Sequence, residues 1–385
     1  MRRTSWQSFR SIPIGMTLFA MLMAGQAVGG QTTGDTVRVA TFNVSLYNKA
    51  AGQVERRLAD GQDAQARKLA EIIRSVRPDV LLLCEVDYDA DGKLLDHFAD
   101  RFLADDGDGW TGEAIEYPHR LSLVSNTGLP SGVDLNANDK TDDPEDAHGY
   151  GKYPGQYAFA ILSRFPIQKD QVRTFQKFPW SEFPGALRPT KPDGTSYYSD
   201  EVWSKLRLSS KNHADIPIRV GDRILHVLAS HPTPPVFDGP EDRNGARNHD
   251  EIDFWNHYLD GDERLVDDRG QAGGLPDGEF FVVAGDLNSD PERGDSRPAA
   301  IRRLLAHRRT MNMAPTHQDA AKKSINTTAP FGKTGMRVDY VIPDSRFVAD
   351  QSGVYWPLRD QAGYEWSRAT DHRLVWVDLA FPKSP

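Results

Sequence analysis

The segment "VVAGDLNSDP", residues 282–291, joins a run of apolar residues to Asp286 and Asn288, at the point where a strand should end. Turns also favour Asp, Asn, Gly and Pro for backbone reasons, so the segment alone fits either a turn or the edge of an active site. The two polar residues alternate along the chain and so point to the same side of an extended segment. This arrangement would let both side chains hold one water molecule.

Polar residues of the same kinds follow or interrupt other apolar runs. Each could close a turn or lie at the surface. Together they are harder to explain in this way, because an unpaired ionisable group beside buried apolar residues costs several kcal/mol. A shared cation would offset that cost. The residues are Asn43 in "TFNV", Glu85 in "LLLCEV", His231 in "VLASHPTPP", Asp339 in "MRVDYVI", and Asp371 with His372 in "ATDHRLVW".

The wider hydrophobic pattern predicts an α/β fold in which strands dominate. Leu69, Ile72, Ile73 and Val76 form the stripe of an amphipathic helix, and "DVLLLCEV" reads as a strand buried on both faces. The pair Gly221 and Asp222 separates two strand-like runs, as in a hairpin. We expect two sheets packed face to face with helices outside. This single domain would span residues 36–382 and carry long irregular loops at residues 105–155 and 173–215.

The composition is that of a soluble globular protein, with 38% hydrophobic and 26% charged residues. Its 385 residues carry a formal net charge of -9, so the chain lacks the broad positive field that attracts nucleic acid or anionic lipid. Nucleic acid is therefore possible as a substrate but is not indicated by the charge. The single cysteine, Cys84, excludes an internal disulfide and is interpreted as a small buried hydrophobe. The sequence gives no oligomeric state.

Residues 1–30 have the layout of a secretory signal peptide. Arg2, Arg3 and Arg10 precede eleven mostly apolar residues, "IGMTLFAMLMA", and the small-residue stretch "GQAVGG". Cleavage is expected after Ala27 or Gly30, which would give an extracellular or periplasmic protein. Eleven apolar residues are too few to span a bilayer, so a retained anchor is the weaker alternative and the mature chain should have no membrane span. Loss of three arginines and no acidic residue would change the formal charge from -9 to -12.

Seven motifs in order resemble the endonuclease/exonuclease/phosphatase superfamily, which includes deoxyribonucleases, apurinic endonucleases, sphingomyelinases and inositol polyphosphate phosphatases. They are "TFNV", "LLLCEV", "AILSRFP", "ASHPTPP", "AGDLNS", "RVDYVIP" and "TDHRLVWVDL". The similarity covers about residues 37–381. It implies a four-layer α-β-β-α sandwich, with two mostly antiparallel sheets and a site at one end of them. This fold agrees with the architecture expected from the hydrophobic pattern.

The resemblance also implies a metal side of the site. Glu85 would be the main carboxylate ligand of Mg²⁺ or Mn²⁺, with Asn43 beside it and Asp371 in support. Independently of the family, Mg²⁺ prefers oxygen ligands and keeps several waters, which suits these residue types.

The remaining roles implied by the resemblance concern water and phosphate. Asp286 would orient or deprotonate the attacking water, and Asn288 would hold that water and a phosphate oxygen. His372 would contact the scissile phosphate, with its ring fixed by Asp339. His231 would be a phosphate contact or a general acid. Phosphate ester hydrolysis needs these functions in any case: charge neutralisation, an aligned water and a proton for the leaving oxygen.

We therefore expect a secreted, divalent-metal-dependent phosphoesterase whose substrate is a phosphodiester or phosphomonoester. A non-catalytic, calcium-stabilised module that binds a phosphorylated ligand or acts at the cell surface on the same fold is the alternative. A glycosidase could use Glu85 and Asp286 as paired carboxylates, but this would leave the histidines and asparagines unexplained. Zinc-type Cys/His spacing, HExxH, a P-loop and GxSxG do not occur in the sequence.

An acidic segment, "DLNANDKTDDPE", follows part of the calcium-loop pattern. The residues at its positions 1, 3, 5, 9 and 12 are Asp134, Asn136, Asn138, Asp142 and Glu145. Asp139 stands where that loop requires glycine, and no flanking helices are evident. The segment is either a structural Ca²⁺ site or a solvated acidic loop.

The segment from residue 173 to residue 211 is rich in aromatic and basic residues. Its aromatic side chains would either stack on bases or sugar rings or pin a long loop to the core. They are Phe178, Trp180, Phe183, Tyr197, Tyr198 and Trp203. Arg243 and Arg247, after the histidine hairpin, are candidate substrate contacts, although they could instead pair with Asp242 or Asp250.

Overall fold

A computed structural model describes residues 36–319, 321 and 323–383. The predicted signal peptide, residues 1–30, lies outside the described residues. The strands are β1 Thr36–Leu46, β2 Val80–Val86, β3 His119–Ser122, β4 Ala158–Ser163, β5 Arg173–Thr174, β6 His213–Val220, β7 Arg223–Ser230, β8 Phe280–Asp286, β9 His317–Gln318, β10 Ser324–Ile325, β11 Asp339–Pro343, β12 Val348–Val354 and β13 Val375–Ala380.

The α-helices are α1 Gln53–Leu58, α2 Ala64–Val76, α3 Lys93–Phe98, α4 Asp200–Lys205, α5 Arg243–Leu259 and α6 Ala299–Leu305. A π-helical turn, Ala99–Leu103, continues α3. The 3₁₀ turns are Pro144–Asp146, Lys169–Gln171, Trp180–Glu182 and Trp366–Arg368. None of the described helices is long and apolar enough to cross a membrane.

Eleven of these strands form two large sheets, and β9 pairs with β10 in a separate two-stranded sheet. One has the order β12-β13-β1-β2-β4-β3, and the other has the order β11-β8-β7-β6-β5. Only β1 with β2 and β7 with β8 pair in parallel, and the other neighbours in these sheets are antiparallel. This confirms the prediction of two mostly antiparallel sheets.

Alternating side chains of the central strands bury both faces of each sheet. In β2, Leu82 and Cys84 pack between the sheets, whereas Leu81 and Leu83 pack toward the cluster that contains α2. In the second sheet, β8 divides its side chains in the same way between the inter-sheet core and the cluster that contains α5 and α6. The layers are therefore α-β-β-α, as predicted, and the described residues from Thr36 onward belong to one compact unit. The exact domain limits, residues 36–382, stay a prediction.

The structure also contains elements that the sequence pattern did not predict. Helices α1 and α3 are only six residues long, and each buries two or three side chains, so their periodicity is too short to recognise. Strand β12, "VADQSGV", is largely polar because it lies at the edge of its sheet and is mostly solvent-facing. The segments expected to be loops, residues 105–155 and 173–215, contain β3 and α4.

Candidate active site

Backbone pairing brings polar strand ends to one end of the sandwich. Asp286, the last residue of β8, lies directly opposite Asp339, the first residue of β11. In the other sheet, Asn43 of β1 pairs with Cys84 of β2, and the register shifts just beyond them. The Asn43 side chain Nδ2 donates to Asp286 Oδ2 at 3.0 Å and so links the two sheets. Asp286 is therefore placed where both sheets end.

His372 lies between two buried carboxylates. Its Nδ1 is 2.9 Å from Asp339 Oδ2, and its Nε2 is 3.6 Å from Asp286 Oδ2. Burial lowers the pKa of the ring, but the carboxylates of Asp339 and Asp286 outweigh this effect and raise the pKa of His372 to about 10. Asp339 is held in turn by its backbone N–H, which donates to Thr328 Oγ1 at 3.0 Å. The arrangement stabilises an imidazolium, and it places Asp339 where the family resemblance implies that it orients the ring; the role of His372 at a phosphate stays a prediction.

His231 contacts Asp286 from another side. Its Nε2 lies 3.5 Å from Asp286 Oδ2, and its buried Nδ1 has no hydrogen-bond partner among the described residues. Burial lowers the pKa of His231 well below its ordinary value, and the positive charges of Lys211 and His372 act in the same direction. The two histidines around Asp286 therefore differ in charge, with His372 favoured as a cation and His231 as a neutral ring.

Asp286 and Asn288 form a tight turn at the end of β8. The Asn288 backbone N–H donates to Asp286 Oδ1 at 3.0 Å, and the Asn288 side chain donates to the Pro232 carbonyl at 3.1 Å. Burial raises the pKa of Asp286, the carboxylates of Asp339 and Glu85 add to this, and His372 opposes it. In the segment 282–291, the Asp286 carboxylate therefore both closes the turn, through the Asn288 N–H, and lies in the candidate site, through its contact with Asn43.

The predicted metal side centres on Glu85. Its carboxylate is half-buried and lines the central cavity, and no hydrogen bond or ion pair engages it within the described part of the chain. Ligand atoms of Glu85, His231 and Asp286 lie within 4.8 Å of one another, as do those of Asp286, Asp339 and His372. An unpaired carboxylate within this acidic group fits a divalent cation.

The two supporting ligands predicted for the metal also lie at this end of the fold. The Asn43 side chain Oδ1 accepts from the Ser45 backbone N–H at 3.2 Å, and Ser45 Oγ is 3.5 Å from an oxygen of Asp371. Asp371 is exposed and lines the same cavity as Glu85. Their roles as metal ligands stay predictions.

Left-handed backbone conformations are frequent in the cavity wall. Such conformations are uncommon outside glycine and tend to occur at functional sites. The cavity has a volume of about 1150 Å³. The non-glycine residues with positive φ that line it are Ser45 (45°), Glu85 (56°), Tyr157 (59°), Phe237 (67°) and Asn288 (52°).

Lys211 is a site residue that the sequence did not indicate. Its side chain lines the cavity although the residue is only 6% exposed, and its Nζ donates to the Pro232 carbonyl at 3.4 Å. No carboxylate forms an ion pair with it in the described ranges. Burial lowers the pKa of Lys211, while the more distant carboxylates of Glu251, Glu85 and Asp286 raise it. A buried ammonium group with one long hydrogen bond can bind an anionic oxygen.

Glu251 of α5 fixes the backbone next to Lys211 and the backbone near His231. One carboxylate oxygen accepts from the Ser210 N–H at 2.6 Å, and the other accepts from the Thr233 N–H at 2.6 Å. Ser210 immediately precedes Lys211, and Thr233 lies two residues after His231. Helix α5 therefore holds the two segments in register.

The two arginines predicted to contact substrate line the cavity, but both are engaged within the protein. Arg247 donates to the carbonyls of Leu208 (2.9 Å), His148 (2.6 Å) and Arg207 (2.8 Å). Arg243 forms an ion pair with Glu241. Neither pairs with Asp242 or Asp250, because Asp242 binds Arg297 and Asp250 accepts from Trp180 and Leu187. A role in substrate binding stays a prediction for both.

The aromatic side chains of the 173–211 segment mostly pin it to the core. Phe178, Trp180 and Phe183 are buried in the cluster that includes α5. Tyr197 and Tyr198 pack edge to face, with ring centroids 4.9 Å apart, and Tyr198 lines the cavity. Only the few aromatic side chains of this segment that reach the cavity could therefore stack on a substrate.

The acidic segment at residues 134–145 does not gather its carboxylates. Both oxygens of Asp134 accept backbone N–H groups, from Asn138 at 3.2 Å and Asp139 at 2.8 Å. The Asn138 side chain donates to Asp143. Among the described residues, the acidic side chains Asp134, Asp142 and Glu145 belong to no group of three His, Cys, Asp or Glu residues close enough to share a metal ion. Ca²⁺ binding by the five predicted ligands, which include Asn136, stays a prediction.

Comparisons with known proteins agree with this architecture. The model of the Endonuclease/Exonuclease/phosphatase family matches residues 40–372. An endonuclease/exonuclease/phosphatase structure from Beutenbergia cavernae is 20% identical, with a TM-score of 0.52, and the match covers 91% of this chain and 73% of that one. Sphingomyelinase C from Streptomyces griseocarneus is 16% identical, with a TM-score of 0.44, and 89% and 99% of the two chains are covered. No curated protein matches. The first structure supports the shared fold.

Proposed function

Because a family model spans most of its length, the chain belongs to the endonuclease/exonuclease/phosphatase family, and we propose that it is a divalent-metal-dependent phosphoesterase. Members of this family are hydrolases of phosphate esters. The observation that carries the proposal is Asp286, which is contacted by Asn43, His231 and His372 at once and lies beside the unpaired carboxylate of Glu85. The substrate is a phosphodiester or phosphomonoester, cleaved by in-line attack of water.

Glu85, with Asn43 and Asp371, would hold Mg²⁺ or Mn²⁺. When bound, such a cation neutralises negative charge on the phosphate and on the departing oxygen. The chain itself contributes a set of oxygen ligands. Its central carboxylate, Glu85, has no hydrogen-bond or ion-pair partner among the described residues that a cation would have to displace.

Asp286 is suited to orient and deprotonate the attacking water. Its two oxygens are fixed by Asn43 Nδ2 and the Asn288 N–H, so the carboxylate has a defined direction. Its raised pKa makes it a stronger base than an exposed aspartate. The water oxygen forms a bond to phosphorus, the water proton passes to Asp286, and the ester P–O bond breaks.

The cationic side chains would bind the phosphate oxygens. His372 is held as an imidazolium by Asp339, and Lys211 supplies a second buried positive charge. His231, favoured as a neutral ring, would donate its one ring N–H to a phosphate oxygen, and the His372 imidazolium would protonate the leaving oxygen. The proposed reaction thereby has a proton acceptor, a charge clamp and a proton donor.

A turnover panel tests this function against the binding-module alternative. The purified protein is incubated with plasmid DNA, RNA, bis(4-nitrophenyl) phosphate, 4-nitrophenyl phosphate and phosphatidylcholine vesicles, each with Mg²⁺, Mn²⁺, Ca²⁺ or EDTA. We expect hydrolysis of at least one substrate class that EDTA abolishes. Binding of a phosphorylated ligand without turnover under every metal condition would instead support the non-catalytic module.

Secretion and structural calcium belong to the same proposal. The basic and apolar pattern of residues 1–30 supports export and removal of a signal peptide. The spacing of the acidic residues at 134–145 supports Ca²⁺ binding. The hydrogen bonds that Asp134 accepts from backbone N–H groups of its own loop argue against it. Neither feature is required for the chemistry at Asp286.

A further inference from the structure

The loop that follows His231 presents an exposed apolar surface to the cavity. Pro234, Pro235, Val236 and Phe237 all line it. Phe237 is 88% exposed, compared with 51% for Tyr150, another exposed aromatic residue of the cavity wall. Large exposed aromatic side chains beside a concave site commonly contact a ligand.

The exposed position of Phe237 is imposed by the fold. Its φ is 67°, a left-handed conformation that costs about 1–2 kcal/mol for a residue with a side chain. The residues on either side are fixed by Asn244 at the start of α5: its Nδ2 donates to the Val236 carbonyl at 2.7 Å, and its N–H donates to Asp238 at 2.7 Å. The loop is therefore braced in a conformation that directs an apolar ring away from the core.

The charges around this loop do not suit a polyanion. Arg243 is paired with Glu241, Arg247 binds backbone carbonyls, and Arg293 binds Asp290 and the Gly335 carbonyl. These guanidinium groups are thus engaged within the protein. The cationic side chains that remain for a ligand in the cavity wall are Lys211, Lys333 and His372, a set suited to one phosphate, whereas a nucleic acid backbone requires free cations along its length. An uncharged organic group adjoining one phosphate fits the wall better.

We infer that Phe237 and Tyr150 form the binding surface for an apolar or aromatic organic group of the phosphate ester. This inference rests on the proposed function, because it assumes that a phosphate group occupies the site next to Asp286. It names the substrate class as esters of hydrophobic alcohols or phenols, in preference to nucleic acid.

The test compares two phosphonates that the protein cannot hydrolyse as esters, phenylphosphonate and methylphosphonate. Calorimetry with Mn²⁺ present gives the dissociation constant of each for the wild type, Phe237→Ser, Tyr150→Ser and the double variant. We expect the wild type to prefer phenylphosphonate by about threefold to tenfold, the scale of one or two aromatic contacts. The double variant should lose this preference while its affinity for methylphosphonate changes by less than about twofold.

Val348→Ser is the matched control, because Val348 is 61% exposed on the edge strand β12 and does not line the cavity. It should keep the wild-type preference, and melting temperatures show that all variants fold. An equal affinity of the wild type for both phosphonates, or a preference that survives in the double variant, overturns the inference. Adsorption to phosphatidylcholine vesicles is measured for the same proteins. If the wild type adsorbs and the double variant does not, while the phosphonate preference is unchanged, the inference is overturned and the two side chains form a membrane contact.

Failure of the proposed function gives a different result. Absence of turnover in the substrate panel, with the phosphonate preference intact, removes the catalytic proposal and leaves the apolar surface in place. If neither phosphonate binds, the phosphate site is absent and the inference is wrong with it.

Discussion

Asp286→Asn is expected to lower kcat for a phosphodiester by about 10³-fold, within the range for removal of a general base. The substitution keeps the shape of the side chain and replaces only the carboxylate that Asn43, His231 and His372 surround. The measurement is the initial rate with bis(4-nitrophenyl) phosphate at saturating Mn²⁺. KM should change much less than kcat, because Asp286 acts on the water and not on the substrate.

Asp344→Asn is the control for this substitution. Asp344 is also a buried aspartate of the second sheet, but it follows the opposite end of β11 and pairs with Arg346. It should retain the wild-type rate even if its melting temperature falls. Wild-type activity in Asp286→Asn would remove Asp286 from the mechanism.

The second large effect is expected at His372. His372→Gln should lower kcat by about 10²-fold to 10⁴-fold, because it removes a positive charge from the phosphate site. Asp339→Asn should have a smaller effect of the same kind, since Asp339 acts by orienting the ring through the 2.9 Å contact. Rates are measured for both single variants and the double variant, whose loss should not exceed that of His372→Gln.

A second histidine–aspartate pair in the same sheet provides the control. His226 Nδ1 lies 2.7 Å from Asp215, but His226 does not line the cavity. His226→Gln therefore removes a similar, partly buried contact without touching the site, and its rate should stay near that of the wild type. Equal losses in His226→Gln and His372→Gln would mean that both act through stability alone.

Much of the fold was predictable because its central strands are buried on both faces. A segment such as "DVLLLCEV" has few other interpretations, and β2 occupies it. Strand β12 was not predictable, since its residues face solvent at the sheet edge and only pairing with β13 makes it a strand. Local pattern therefore identifies the core strands and misses elements defined by their neighbours.

The site shows the same division. Asp286 follows an apolar run, Asp339 interrupts one and His372 precedes one, so the sequence indicated that these polar side chains lie at the ends of core strands. Lys211 stands in the polar stretch "SSKNH", and its burial results from the packing of distant segments held by Glu251. The engagement of Arg247 by three carbonyls depends on the path of other loops in the same way.

The central claim is that Glu85 holds a divalent cation required for phosphoester hydrolysis. Its most direct test is a Mn²⁺ titration of the chelated, metal-free protein, with bis(4-nitrophenyl) phosphate hydrolysis measured for the wild type, Glu85→Gln and Glu279→Gln. Glu279 is a half-exposed glutamate outside the cavity, next to the first residue of β8. We predict no activity before metal addition and a Mn²⁺ requirement at least about tenfold higher in Glu85→Gln than in the other two proteins. Activity of the metal-free wild type, or identical titration curves for all three proteins, would contradict the account.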